Sequence, residues 1–124
     1  MDKAKIKAQF LKYSKEQIID AMLSETIFNE ASHILHRCWH TKHDELYRAM
    51  CKAGEEENVA LTAFIEYQKE LATKYGDGER FKFSSLSAQE SIKYDKLSAA
   101  WDETRKRYEK ANKQIDTFYK ECKL

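Results

Sequence analysis

YDKLSAAWDETRKRYEKANKQIDTFYKEC, residues 94–122, is the stretch that decides the fold. Tyr94, Leu97, Trp101, Thr104, Tyr108, Ala111, Ile115, Phe118 and Cys122 follow one another in alternating steps of three and four. A helix with 3.6 residues per turn lines those positions along one stripe, so about four heptads read as a coiled-coil seam. Charged residues fill most of the positions between them, as a solvated outer face requires.

A second seam precedes it. Leu46, Met50, Ala53, Glu57, Ala60, Phe64, Tyr67 and Leu71 keep the same alternation. Gly54 interrupts this arm at a cost of about 1 kcal/mol relative to alanine, which a long helix tolerates. Between the arms stands Gly76-Asp77-Gly78, where glycine supplies left-handed backbone and Asp-Gly favours a turn. Each arm is about 35 residues, or roughly 50 Å at 1.5 Å per residue, and a short connector makes antiparallel packing the cheapest solution. Laid side by side, Phe64 meets Trp101, Leu71 meets Tyr94, Tyr67 meets Leu97, Ala53 meets Ala111 and Leu46 meets Phe118. Glu57 falls opposite Tyr108, where its charge has to reach water or the hydroxyl. The competing use of the seams is pairing with a second copy of the chain, as a homodimer.

The expected architecture is therefore all-α, a long antiparallel coiled-coil-like helical hairpin with short N-terminal helices packed at one end. Residues 1–124 form one domain in this reading. Residues 1–40 hold the N-terminal helices, 41–76 and 87–123 the arms, and 77–86 an extended connector whose Phe81 and Phe83 dock on the hairpin tip. Ser14-Lys15-Glu16-Gln17 and Ser87-Ala88-Gln89-Glu90 fit capping boxes, with serine and the residue three positions later serving each other's backbone amides. The pattern blurs near residues 24–29 and returns through Ile27, Phe28, Ala31, Ile34, Leu35, Cys38 and Trp39. Thr41 marks either a second cap or the interior of a continuous helix.

Composition agrees. The 124 residues include no proline and three glycines, and 35% are charged. Aromatics make up 12%, too many for a disordered chain of this polarity. Cys38, Cys51 and Cys122 are odd in number and without a CxxC spacing, which suggests reduced thiols in a cytoplasmic setting. No stretch approaches the roughly 18 apolar residues of a membrane span, and no apolar run follows the N-terminal lysines, so neither membrane nor secretory signal is expected.

All four histidines, His33, His36, His40 and His43, fall within eleven residues at steps of three, four and three. One helical face carries them, centred about 160° from the apolar set Phe28, Ala31, Leu35 and Cys38. Three readings stand side by side: a solvated stripe, a partner-contact surface whose charge changes with pH, and a metal site in which His36 and His40, one turn apart, chelate a transition metal such as zinc, alone or with His33 or His43. The order is not HExxH, so a metalloprotease is rejected. No phosphate-binding glycine loop exists. Cys38 lies about 200° around the helix from His36 and His40, which argues against a thiol dyad and, with it, against an enzyme.

Charge is distributed unevenly around a net +1. Residues 1–15 carry +4, residues 16–79 carry −7 and residues 80–124 carry +4. The basic band of Arg105, Lys106, Arg107, Lys110 and Lys113, with the N-terminal lysines, offers nucleic acid a surface, but interleaved acids favour pairing within the chain. Glu55-Glu56-Glu57 reads as a solvated patch or an acidic contact.

The segment FLKYSKEQIID, residues 10–20, resembles the opening of small uncharacterised helical proteins from phages and prophages of Gram-positive bacteria, and the Tyr75-Gly76-Asp77-Gly78 turn has a similar character. The resemblance implies a protein made in the cytoplasm of an infected bacterium. Proteins of that kind bind and block a host enzyme or defence complex, CRISPR nucleases included, so an anti-CRISPR inhibitor is within its scope. The expectation is a non-enzymatic protein-binding protein whose partner is a host protein or complex. It would act through the acidic side of residues 41–79, with Glu55, Glu56 and Glu57, or through the histidine face. A nucleic-acid-associated protein and a metal-responsive protein are the alternatives.

Overall fold

A computed structural model describes residues 3–24 and 31–122, with the side chain of Ser32 set aside. Its elements are α1 (Lys3–Phe10), α2 (Lys15–Ser24), α3 (Ala31–Tyr75), a single 3-10 turn at Phe83–Ser85, and α4 (Ala88–Glu121). No strand occurs among the described residues, and the two long helices pack against each other as a helical hairpin. Ile27, Phe28 and the expected break at residues 24–29 lie, apart from Ser24, outside the described residues. The arm expected from residue 41 instead begins by Ala31: Thr41 does not cap a new helix but sits inside α3, its hydroxyl donating to the Arg37 carbonyl at 3.1 Å. Threonine bonded back to residue i−4 is compatible with a helix interior, so a sequence that looks like a cap need not act as one.

The chain forms two compact units. One consists of Met1–Ala49 and Asn112–Leu124, the other of Met50–Ala111, and α3 and α4 each run through both.

In the second unit the predicted register is found. The rings of Phe64 and Trp101 stack with centroids 6.0 Å apart, and Phe64 also meets Tyr94 edge-on at 5.1 Å. Leu71 and Ala72 are 1% exposed, and Phe64 and Tyr67 are buried beside them. At Gly54 a Cβ would touch the Tyr108 ring at 3.3 Å, so the missing side chain is what lets that ring lie against α3. The Gly-Asp-Gly turn closes α3: the Ala72 carbonyl accepts the amides of Gly76 and Gly78, at 2.9 and 3.1 Å, and Gly78 has φ +93°. The Asp77 carboxylate accepts the amides of Glu79 and Arg80, each at 2.9 Å, and those amides, Arg80's first, hold its pKa below the usual carboxylate value. The connector is not simply extended. Phe81 and Phe83 do reach Tyr94, with centroids at 6.2 and 5.0 Å, but Phe83 remains 61% exposed.

The Ser87 capping box forms as predicted, with Ser87 N to Glu90 Oε1 at 2.9 Å and Glu90 N to Ser87 Oγ at 3.1 Å. Glu90 does more than cap. It accepts the Tyr75 hydroxyl at 2.6 Å and the Lys74 ammonium at 3.2 Å, linking the end of α3 to the start of α4. The Tyr75 hydroxyl, then the Ser87 amide and Lys74, hold its carboxyl at about 2, below the ordinary 4.5. A carboxyl depressed in the folded state stabilises fully above its unfolded value, and that contribution is lost as pH falls through the folded value. Wild-type stability should therefore decline between about pH 4.5 and 2 more steeply than that of Glu90→Gln, as followed by circular-dichroism melts across that range; parallel declines would contradict the linkage.

In the first unit Ala21, Ile34 and the fully buried Cys38 make the centre, with Phe10, Tyr13 and Ile18 packed on it. The N-terminal helices thus cover α3 where expected. The Ser14 box forms too, with both reciprocal bonds at 3.1 Å. Lys12 donates to the Glu121 carbonyl, and Lys42 to the Lys12 carbonyl at 3.0 Å, so lysine ammonium groups satisfy carbonyls at or just beyond helix C-termini, where helix geometry leaves them unpaired.

Candidate functional site

Two faces of α3 hold the residues that the sequence singles out. In the first unit, the histidine stripe divides into parts with different surroundings. His43 does not point away from the packed side, contrary to expectation. Its ring stacks on Trp39 at 5.0 Å with the planes 5° apart, and its Nε2 lies 2.8 Å from the Tyr119 hydroxyl. Its Nδ1 is 3.4 Å from Asp44, so both ring nitrogens have partners. The reason is that α4 supplies Phe118 and Tyr119 beside Trp39, and aromatic side chains reach across the shoulder of a helix that a wheel treats as outward. Trp39 is itself tied to α4, its indole N–H donating to the Cys122 carbonyl at 2.5 Å.

His36 and His40 remain exposed and face each other. Their Nε2 atoms are 3.0 Å apart, with ring centroids at 4.5 Å and planes at 71°. The rings of His40 and Trp39 also meet in a T-shaped contact, with centroids 5.2 Å apart. His33 is exposed as well. Cys38, on the opposite side of the same turn, aims its thiol at the Gln17 carbonyl at 3.7 Å, and burial pushes its pKa up. A thiol so placed is disfavoured as a thiolate nucleophile. Tyr13 is likewise pushed up to about 12, first by burial and then by the neighbouring thiols of Cys122 and Cys38.

In the second unit the acidic triplet does not act as one patch, because successive helical residues diverge by about 100°. Glu56 reaches across to Arg107 at 3.4 Å. Glu57 is half-buried in a notch with Gly54, Asn58, Leu61 and Tyr108, opposite Tyr108 as expected. Only Glu55 points fully outward. It shares the outer stripe with Val59, Glu66 and Glu70, at steps of four, seven and four. Val59 is 70% exposed and borders a shallow groove of about 560 Å³ with Glu55, Ala60, Thr104 and Arg107. Among the described residues, no ion pair engages Glu55, Glu66 or Glu70. The sequence reading missed Glu66 and Glu70, although their spacing from Glu55 was the available signal.

Part of the basic band of α4 is paired within the molecule, and no ion pair among the described residues engages Lys110 or Lys113. Arg105 meets Asp102 at 2.6 Å, Lys106 meets Asp102 at 3.1 Å and Arg107 meets Glu56. Arg105 and then Lys106 hold the Asp102 carboxyl below its usual value. Among the described residues no helix is long and apolar enough to cross a membrane. No protein-family model, curated protein or solved structure matches this chain.

Proposed function

We propose that this chain is a non-enzymatic binding protein that docks on the basic groove of a host protein. The resemblance of residues 10–20 and the Gly-Asp-Gly turn to phage proteins supports an inhibitor of a host enzyme or defence complex, such as a CRISPR nuclease. The observation that carries this reading is the outer stripe of α3 in the second unit. There Glu55, Glu66 and Glu70 present carboxylates without ion partners among the described residues, and Val59 presents exposed apolar surface between them. Carboxylates on a rigid helix act on a groove built for phosphates by the same long-range attraction that draws nucleic acid in, while an apolar contact among them supplies short-range affinity. Arg107, the cation of α4 that lines the groove beside Val59, already pairs with Glu56, so this face keeps its negative sign.

The test compares wild type with the triple charge reversal Glu55→Lys, Glu66→Lys, Glu70→Lys as baits in bacterial lysate. The expected result is one stoichiometric protein with a nucleic-acid-binding groove, identified by mass spectrometry and retained by wild type. The triple variant should lose it while melting at the same temperature. Recovery of the same protein by both baits, or of none by wild type, overturns the reading.

A further inference from the structure

His36 and His40 are left outside that reading, and their geometry carries its own chemistry. Their two Nε2 atoms converge across one turn of α3 at 3.0 Å. An ion bound at about 2.05 Å by two imidazoles needs nitrogens roughly 2.9 Å apart for neighbouring octahedral or square positions, and roughly 3.3 Å apart for tetrahedral ones. The observed separation lies between these values, so a small ring rotation accommodates either geometry.

The pair is also held in place. Beneath it, on the opposite side of the same turns, Ile34, Leu35 and Cys38 are buried, which fixes the helix that carries both rings. Trp39 packs edge-to-face with His40 at 5.2 Å, and its indole is anchored to α4. A chelating pair whose backbone is already ordered loses little entropy on binding. His43 is excluded from the set, because Asp44 and Tyr119 occupy its nitrogens. Among the described residues no group of three or more His, Cys, Asp or Glu side chains could hold a metal ion, so this pair supplies two ligands.

We propose that His36 and His40 form a two-point chelating site for an imidazole-preferring divalent transition metal ion, zinc or nickel, bound through both Nε2 atoms, with water completing its coordination. Each imidazole binds as the neutral ring with its proton on Nδ1. Binding bridges one turn of α3 and stabilises the folded chain, because the same two nitrogens are not held together in the unfolded chain.

The competing arrangement is a plain hydrogen bond from one neutral ring to the other, and experiment separates the two. Zinc sulfate is titrated calorimetrically into tag-free protein carrying Cys51→Ser, since the exposed Cys51 thiol takes the same ions. Long-range nitrogen–proton NMR of the imidazoles is followed in parallel. The expected result is saturable binding, with the Nε2 signals of His36 and His40 shifting together and Tm rising by roughly 3–8 °C in excess zinc. His36→Ala and His40→Ala should each remove the heat and the Tm rise, and His33→Ala should keep both. Undetectable heat, equal heat in His40→Ala, or movement of only one of the two Nε2 signals overturns the proposal.

Discussion

Leu71→Ala is expected to cost about 3 kcal/mol, within the roughly 2–5 kcal/mol range for removing a buried leucine. Leu71 is 1% exposed and sits among Phe64, Tyr67 and Ala72, all buried, near the end of α3. The substitution loses the transfer free energy of three heavy atoms and leaves a cavity that two rigid helices close only in part. Small domains are stable by only about 5–15 kcal/mol, so the change should be plain in a urea titration followed by circular dichroism. Val59→Ala is the matched comparison, because Val59 is 70% exposed and should change stability by less than about 0.5 kcal/mol. If the two variants unfold at the same midpoint, the seam is not the core of this unit.

Gly76→Ala should be at least as damaging, for a different reason. A Cβ there would lie 1.7 Å from the Arg80 carbonyl oxygen, 2.8 Å from its carbon and 3.2 Å from the Ala72 oxygen. These are backbone atoms, so no rotamer change relieves the overlap and the turn itself must open. Opening it pulls on the Asp77 bonds to Glu79 and Arg80 and on the Tyr75–Glu90 link. A loss of roughly 3–5 kcal/mol is expected, as for other substitutions incompatible with local backbone. Gly78→Ala offers the contrast. Its φ of +93° strains any side chain, yet nothing lies within 4 Å of the added carbon. The cost there should be about 1–2 kcal/mol. Denaturant midpoints for the two variants test the ranking, and a milder effect at Gly76 than at Gly78 would contradict this account of the turn.

Much of this architecture was legible because its signals are local. Both capping boxes join residues three apart, and each forms with the reciprocal bonds its sequence specifies. The pairing of Phe64 with Trp101 followed from two seams of equal period folded at one glycine turn. Thr41 was ambiguous because the same hydroxyl caps a helix from outside or bonds back within it, and only the neighbouring backbone selects between them. The faces were harder to read. A wheel drawn for this helix alone gave His43 to solvent, and adjacency in the sequence grouped Glu55, Glu56 and Glu57 together. Phe118 and Tyr119 of α4 draw His43 inward, and Arg107 of α4 claims Glu56.

By itself, then, the amino-acid order determined the capping boxes that open α2 and α4, the glycine turn that ends α3, the periods of the arms and their antiparallel sense, because each rests on interactions spanning a few residues or on the length of one turn. Tertiary structure decided which arc of each helix is covered, and so which histidines face each other in the open and which carboxylates keep their charge unpaired. Those outcomes depend on side chains reaching in from a second helix far away in the chain, and no spacing within the first helix encodes where they arrive.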